Sequence, residues 1–163
     1  MKKLIVLSLV SVTALLLAGC EDAKSGADDK TSAQQPGFKQ MRWYSPDQVA
    51  RGKVLFAENC ASCHKADASG STNWRQADAN GKFPPPPLNG TAHAWHHPLS
   101  MLRRTVRSGG VAIGGSMPGF GDKLDAAQTD DVIAWVQSQW SDDIYGRWAK
   151  RNAQAAMRKG VGR

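Results

Sequence analysis

Cys60, Cys63 and His64 stand in the order C-A-S-C-H, and they are the residues of this chain best placed to do chemistry. Two thiols three positions apart on a turn match the two vinyl groups of haem, and the imidazole that follows lies beneath the iron as a proximal ligand. A disulfide between these cysteines would stabilise little, because the loop is so short. Thioredoxin-like chemistry would need a strand–helix–strand pattern, and zinc would need a second close pair of ligands. The spacing therefore predicts one covalently attached haem c.

An iron held from one side can take a second axial ligand, and Met117 is a candidate for it. It precedes Pro118 within residues 109–121, which hold six glycines and no helical pattern, and it lies 53 residues beyond His64. A glycine-rich backbone can wrap closely over a flat ligand. A thioether is a soft ligand that favours ferrous iron and raises the potential. Met101 is the lesser candidate, because its spacing places it on a helix.

Three histidines lie close to Trp95 in the sequence: His93, His96 and His97. One interpretation makes them part of a loop and helix cap against the haem edge. A second makes one of them the distal ligand, which would give a bis-histidine haem of lower potential. A third is a surface copper site, because imidazoles suit copper. The sequence leaves all three interpretations open.

The charged residues are less informative. Arg103, Arg104 and Arg107 follow one face of a predicted helix, where one or two could pair with haem propionates or simply face solvent. The formal net charge is +7, and it falls to +5 if two lysines are lost with the first 19 residues. This mild excess does not indicate nucleic-acid binding. The basic residues after Ile144 are predicted to be solvated, with a docking or membrane-surface role as the alternative.

Three to four helices are predicted to position these residues, from their caps and from apolar side chains three and four apart. The predicted ranges are 46–58, 98–108, 125–140 and a short 142–151, with caps at Ser45 and Asp125. The expected buried faces are Val49, Gly52 and Phe56 in the first, Leu99, Leu102 and Val106 in the second, and Val132, Trp135, Val136 and Trp140 in the third. Residues 65–90 form a long loop that needs something to pack on. The fold is therefore predicted to be all-α, with three to four helices and long loops around one covalently bound haem.

Residues 1–19 are predicted to be a lipoprotein signal peptide. Two lysines precede an apolar run that is too short and too early for a spanning helix of the mature protein. The run ends in L-A-G-C, which resembles the bacterial lipobox, so Cys20 is predicted to carry lipid; an ordinary cleaved signal is the alternative. Residues 20–40 are small and polar, cannot bury enough surface to order themselves, and are predicted to be a lipid-anchored flexible tether.

Over roughly residues 47–139 the chain resembles the class I monohaem c-type cytochromes, in a bacterial lipoprotein form. The resemblance is carried by C-A-S-C-H at 60–64, P-P-L-N-G at 86–90 and G-S-M-P-G-F at 115–120, together with Gly52, Phe56 and Trp135, which match a helix crossing. It implies the small cytochrome c fold for a domain at residues 41–151. A basic C-terminal tail is predicted to follow at 152–163.

The resemblance also implies roles for the site residues. Met117 is implied as the distal ligand, opposite His64. The carbonyl of Pro86 is implied to accept a hydrogen bond from the His64 ring, with Pro87 as the alternative because four consecutive prolines leave the register open. Leu88 is implied to pack on the haem.

The sequence shows no catalytic acid–base pair or nucleophile, and a six-coordinate iron offers a substrate no open position. Electron transfer rather than catalysis is therefore predicted, on the periplasmic side of a bacterial membrane, whether inner or outer. The expected partners are redox proteins, namely respiratory-chain complexes, and the membrane through the lipid; neither nucleic acid nor a small-molecule substrate is expected. The alternatives are a haem enzyme with a labile distal ligand, peroxidase-like or sulfur-oxidising, and a copper-handling redox protein that uses His93, His96 and His97.

Overall fold

The structure, a computed structural model, describes residues 41–161, with side chains as far as residue 158. The predicted signal peptide, Cys20 and the tether at 20–40 lie outside the described residues, as do residues 162–163. The described chain forms five α-helices: α1 (Pro46–Asn59), α2 (Ala61–His64), α3 (Leu99–Ser108), α4 (Ala126–Ser138) and α5 (Asp142–Val161). Short 3-10 turns lie at Ala94–His96 and Val111–Ile113, and no strand occurs within residues 41–161. The predicted all-α class is confirmed.

Helices α1 and α4 begin where their caps predict. The Ser45 hydroxyl accepts a hydrogen bond from the Gln48 amide, 3.2 Å away, and the Gln48 side chain accepts one from the Ser45 amide at 3.1 Å. Asp125 and Gln128 form the same reciprocal pair at the start of α4, with distances of 2.8 Å and 3.0 Å. Each pair satisfies backbone donors that a helix start leaves free. Helix α4 ends at Ser138, slightly before the predicted end at residue 140.

The crossing of α1 and α4 forms the centre of the core. A Cβ atom on Gly52 would lie 1.9 Å from the carbonyl oxygen of Asp131, so the two backbones can meet this closely only at a glycine. One turn further on, the rings of Phe56 and Trp135 pack with their centroids 4.2 Å apart. The Arg51 guanidinium also donates two hydrogen bonds to the buried Asp131 carboxylate, at 2.7 Å and 3.0 Å. The expected packing residues therefore meet at one crossing.

Helix α5 is longer than predicted. The sequence suggested a short helix to residue 151 and a basic tail at 152–163, but the helix continues to Val161. The predicted end of this helix at residue 151 is therefore corrected to residue 161, within the segment predicted to be a basic tail. That segment lacks an apolar stripe, yet it is rich in alanine, glutamine, methionine, arginine and lysine, which are all strong helix formers. The first half of α5 supplies two of the most buried side chains, Tyr145 and Trp148.

The segment before α1 packs on α5. The Trp43 amide donates a hydrogen bond to the Tyr145 hydroxyl at 3.1 Å, and the Arg42 guanidinium lies 3.8 Å from the centre of the Tyr145 ring. Arg42 also forms an ion pair with Asp142 at the first turn of α5. In the described part of the chain, no helix has the length and apolar character needed to cross a membrane.

The long loop predicted at 65–90 extends to residue 98, where it meets α3, and it includes the 3-10 turn at Ala94–His96. Its exposed tip is a turn around Asp78, whose carboxylate accepts hydrogen bonds from the Asn80 and Lys82 amides at 2.8 Å and 2.9 Å. Gly81 lies in this turn with φ +74°, and a Cβ atom there would meet nothing within 4 Å. The tip is therefore satisfied by its own hydrogen bonds and stands clear of the rest of the fold.

Candidate functional site

A cavity of about 960 Å³ lies between the helices and the long loops. Its volume is at the upper end of the range of about 300–1,000 Å³ typical of small-molecule sites. Its walls are mostly apolar, with contributions from α1, α3 and α4. It brings together the six site residues that the sequence singled out in this domain, namely Cys60, Cys63, His64, Pro86, Leu88 and Met117.

Cys60 lies between α1 and α2, and Cys63 lies in the single turn of α2. The amides of Cys63 and His64 both donate to the Cys60 carbonyl, at 3.1 Å and 2.9 Å, which fixes the spacing of this turn. Cys60 is buried and Cys63 is exposed. Burial, with a smaller contribution from Cys63, raises the pKa of the Cys60 thiol to about 11. Redox-active C-x-x-C pairs have lowered thiol pKa values, so this environment argues against thioredoxin-like chemistry.

His64 is buried at the end of α2 and is oriented by a backbone carbonyl. Its Nδ1 atom lies 3.0 Å from the carbonyl oxygen of Pro86, and no carbonyl can donate, so Nδ1 carries the proton in this hydrogen bond. Nε2 then bears a free lone pair. Burial lowers the pKa of His64, and the hydrogen bond to Pro86 partly opposes that shift. The ring is thus held in the neutral form and in the tautomer that a metal ion binds through Nε2.

The proline-rich segment is held against His64 by a tight loop. The Gly70 amide donates to the His64 carbonyl at 2.9 Å, and the Leu88 amide donates to the Ala68 carbonyl at 2.8 Å. Gly70 has φ +61°, and a Cβ atom there would lie 2.5 Å from the Pro86 carbonyl carbon. Only glycine can therefore occupy this position, and the contact helps to set the Pro86 carbonyl where His64 meets it.

Met117 is half-buried in the glycine-rich loop and packs against the core. Its carbonyl accepts a hydrogen bond from the Gly110 amide at 2.9 Å, and the Phe120 amide donates to the Val106 carbonyl of α3 at 3.0 Å. Gly109 has φ +68°, and a Cβ atom there would lie 2.6 Å from the Met117 carbonyl oxygen. The glycines thus let this loop fold back closely on the end of α3.

The positive charges at the cavity are not those expected from the sequence. Arg103 donates two hydrogen bonds to Asp130 at 2.6 Å and 2.7 Å, and none of the three α3 arginines is among the described residues that line the cavity. Arg75 and Lys123 line it instead. Both lie in irregular segments, where sequence spacing gives no direction for a side chain, so no pattern could have identified them.

The histidine cluster divides into two parts. His93 and His97 line the cavity, with ring centroids 5.9 Å apart, whereas His96 packs against Trp95 at 4.0 Å. Burial lowers the pKa of His97, with smaller contributions from His93 and His96. Among the described residues, no three histidine, cysteine or acidic side chains are grouped so as to hold a metal ion. Two of the three histidines therefore lie in the cavity wall, where a loop packed against the cavity would place them.

The all-helical fold around a C-x-x-C-H turn defines a c-type cytochrome domain. Residues 47–136 match the family described as cytochrome c oxidase, cbb3-type, subunit III. Because this match covers more than half of the 163 residues, the chain belongs to that family. The predicted small cytochrome c fold is thereby confirmed, as is covalent haem c as the cofactor.

Two relatives extend this finding. The chain is 32% identical to the cbb3-type cytochrome c oxidase subunit FixP of Azorhizobium caulinodans over 95 residues, which are 55% of this chain and 28% of that protein. It is 29% identical to cytochrome c6 of a Synechocystis species over 96 residues, which are 56% of this chain and 65% of that protein. The matches thus span less than two thirds of either relative. No solved structure matches the chain significantly.

The cavity fits the cofactor that the family implies. Haem c requires two thiols beside an imidazole, and here Cys60, Cys63 and His64 line one cavity whose walls are mostly apolar. His64 is oriented so that Nε2 is free to bind iron. A large flat apolar group also explains why so few helices suffice to order the long loops, because it supplies the surface on which they pack.

Proposed function

We propose that this protein is a lipid-anchored, periplasmic one-electron carrier. Its haem c is held by Cys60 and Cys63 and has His64 and Met117 as axial ligands. The observation that carries the proposal is that all four side chains line one cavity, in which Nδ1 of His64 is already committed to the Pro86 carbonyl. The family match and the relatives support electron transfer as the function.

Each residue of the proposed haem site has a defined role. Haem, when bound, supplies a metal centre that gains and loses a single electron. His64 offers a neutral nitrogen ligand, and Pro86 keeps that ring from rotating. Met117 offers a soft sulfur ligand, which favours ferrous iron. Two thioether bonds prevent loss of the cofactor, and two axial ligands leave no open position for a substrate, so the proposal assigns the protein no catalysis of its own.

Exposed apolar side chains near the cavity support docking to a redox protein. Phe83 lines the cavity and is 58% exposed, while Val111 and Ile113 are 58% and 84% exposed in the glycine-rich loop. The Ser116 hydroxyl lies 3.5 Å from the Phe83 carbonyl and joins the two segments. Exposed apolar groups gathered at one place are typical of interaction sites. Since one relative is a cytochrome oxidase subunit, a respiratory complex is the proposed partner.

The haem and its ligands are tested in the full chain, matured with the cellular machinery for haem attachment. The intact mass of the wild-type chain should include one haem, and that of a Cys60→Ala, Cys63→Ala double variant should include none. A wild-type chain that matures without added mass would refute the proposal at its centre.

Met117 is tested by Met117→Ala, with Met101→Ala as the matched control. Met101 is 46% exposed on α3, whereas Met117 lines the cavity. Loss of Met117 should open the iron to carbon monoxide and lower the midpoint potential markedly, and loss of Met101 should change neither. Rapid carbon monoxide binding by the wild-type protein would instead favour a haem enzyme with a labile distal ligand.

Membrane attachment is tested by Cys20→Ala. The proposal rests here on the L-A-G-C sequence at the end of the apolar run and on the polar stretch at 20–40. The variant should leave the membrane fraction and appear in the soluble fraction with its haem intact. Retention in the membrane would show that Cys20 is not the anchor.

A further inference from the structure

Three side chains beyond the family match form hydrogen bonds with the backbone of the long loop or of the first residue of α3. The Trp140 indole N–H donates to the Leu88 carbonyl at 2.7 Å, and the Trp148 indole N–H donates to the His97 carbonyl at 2.9 Å. The Asn152 side-chain oxygen accepts a hydrogen bond from the Leu99 amide at 2.9 Å. The family match ends at residue 136, so none of the three belongs to it.

The segments held in this way are walls of the cavity. Leu88, His93, Ala94 and His97 all line it, and Leu88 follows the Pro86 carbonyl by two residues. Helix α5 supplies none of the lining side chains among the described residues. It therefore contacts the wall from behind, through the backbone of residues 97–99 and through Arg151, which lies 5.5 Å from the centre of the Trp95 ring.

Helix α5 is itself anchored by buried aromatic side chains in its first half. Tyr145 and Trp148 are 1% and 2% exposed, and their ring centroids are 5.2 Å apart. The Trp43 amide and the Arg42 guanidinium both contact Tyr145, as described above. A helix anchored through buried aromatic side chains is a rigid support, and its two hydrogen bonds to residues 97–99 can hold that backbone in one position.

We propose that Trp148 and Asn152 are positioning residues for the haem site, which hold residues 93–99 as a closed wall of the cavity. This inference rests on the proposed function. A wall that opens admits water, and solvent access is one of the properties that set the potential of a bound metal centre. Water stabilises the more highly charged oxidised state, so loss of the support should lower the midpoint potential. The C-terminal helix thereby tunes electron transfer without touching the cofactor.

The test uses the full chain with haem attached and three variants of the support. Asn152→Ala removes the acceptor for the Leu99 amide, and Asn152→Asp keeps an oxygen at that position. Trp148→Phe keeps a large ring but removes the N–H donor. Gln154→Ala, on an exposed face of the same helix, is the matched control. Midpoint potential and amide hydrogen exchange over residues 93–99 are measured for each protein.

We expect Asn152→Ala and Trp148→Phe each to shift the equilibrium about threefold towards the oxidised state. For one electron this lowers the midpoint potential by about 30 mV. The amide of Leu99 should exchange faster in both. Asn152→Asp keeps the acceptor and should restore wild-type exchange at the Leu99 amide. Gln154→Ala should match the wild-type protein in both measurements.

Two results would overturn the inference. One is a lowered unfolding temperature with unchanged potential and unchanged exchange at residues 93–99, which would make the contacts merely stabilising. The other is exchange of the Leu99 amide in Asn152→Asp as fast as in Asn152→Ala. Failure of the proposed function would look different, because the wild-type chain would then carry no haem by mass; amide exchange would still test the support in that case.

Discussion

Two regions of this molecule bury aromatic side chains equally well, but by different means. At the crossing of α1 and α4, two regular helices approach through Gly52, and Trp135 is 6% exposed. Around α5, Trp148 is 2% exposed and is held by a hydrogen bond from its indole N–H to a loop carbonyl. The crossing lies within the matched range 47–136, and α5 lies beyond it. The family range therefore contains the C-x-x-C-H turn and Met117 but only part of the core.

The largest expected effect tests whether the two regions contribute equally to the free energy of unfolding. Trp135→Ala and Trp148→Ala should each cost about 3–5 kcal/mol of unfolding free energy, because each removes a large buried ring. Denaturant unfolding of the protein with haem attached measures both. If Trp148→Ala costs less than about 1 kcal/mol, α5 is an accessory to the core and the comparison fails.

A smaller effect is expected from Gly52→Ala, which acts on the crossing alone. The new methyl group would overlap a backbone carbonyl, so the helices must move apart, and overpacking of this kind costs about 1–3 kcal/mol. Lys53→Ala, at the exposed neighbouring position, should stay within about 0.5 kcal/mol of wild type. Equal stability of the two variants would mean that the helices do not meet as closely as described.

A still smaller loss of stability is expected when the contact between the segment before α1 and helix α5 is removed. Tyr145→Phe removes the hydroxyl that accepts from the Trp43 amide and should cost about 1 kcal/mol, since a partly buried donor loses its partner. Tyr44→Phe is the control, because its hydroxyl lies 3.5 Å from Arg42, at the limit of hydrogen bonding. The two free energies of unfolding should differ; identical values would show that the Trp43 contact contributes nothing.

The smallest effect is a change in pH dependence. Burial lowers the pKa of His97 below its ordinary value of 6.5, so the unfolded chain takes up this proton at a higher pH than the folded chain does. The fold therefore loses stability as the pH falls through about 6.5 towards the folded-state value. His97→Asn should flatten this part of a stability profile measured between pH 8 and pH 5. An unchanged slope would exclude His97 as its source.

Much of the site could be predicted because its signals are local. The turn at Cys60–His64, the capping pairs at Ser45 and Asp125, and the glycine-rich loop around Met117 are each encoded within a few neighbouring residues. Arg75 and Lys123 could not be predicted, because loop backbone gives no periodicity from which to assign a direction. The hydrogen bond from Trp140 to Leu88 joins residues 52 apart in sequence, so only the folded packing reveals it.

The extent of α5 was missed for a related reason. Apolar spacing identifies a helix by the face that it buries, and the residues after Arg151 bury too little for that signal. Intrinsic propensity alone indicates a helix there, but it is a weak guide without a packing partner. The C-terminal half of α5 is therefore a place where composition, rather than pattern, carried the information.

The self-contained turn at Asp78–Lys82 has a consequence for how such a chain can change over evolutionary time. Arg51 and Asp131, which meet at the helix crossing, are 80 residues apart, and this turn lies on the connection between them. Doubling the length of a flexible connection costs only about 0.6 kcal/mol. Insertions beside Gly81 should therefore be tolerated, and an added hairpin or recognition loop there could give the carrier a new partner while its electron-transfer site stays intact.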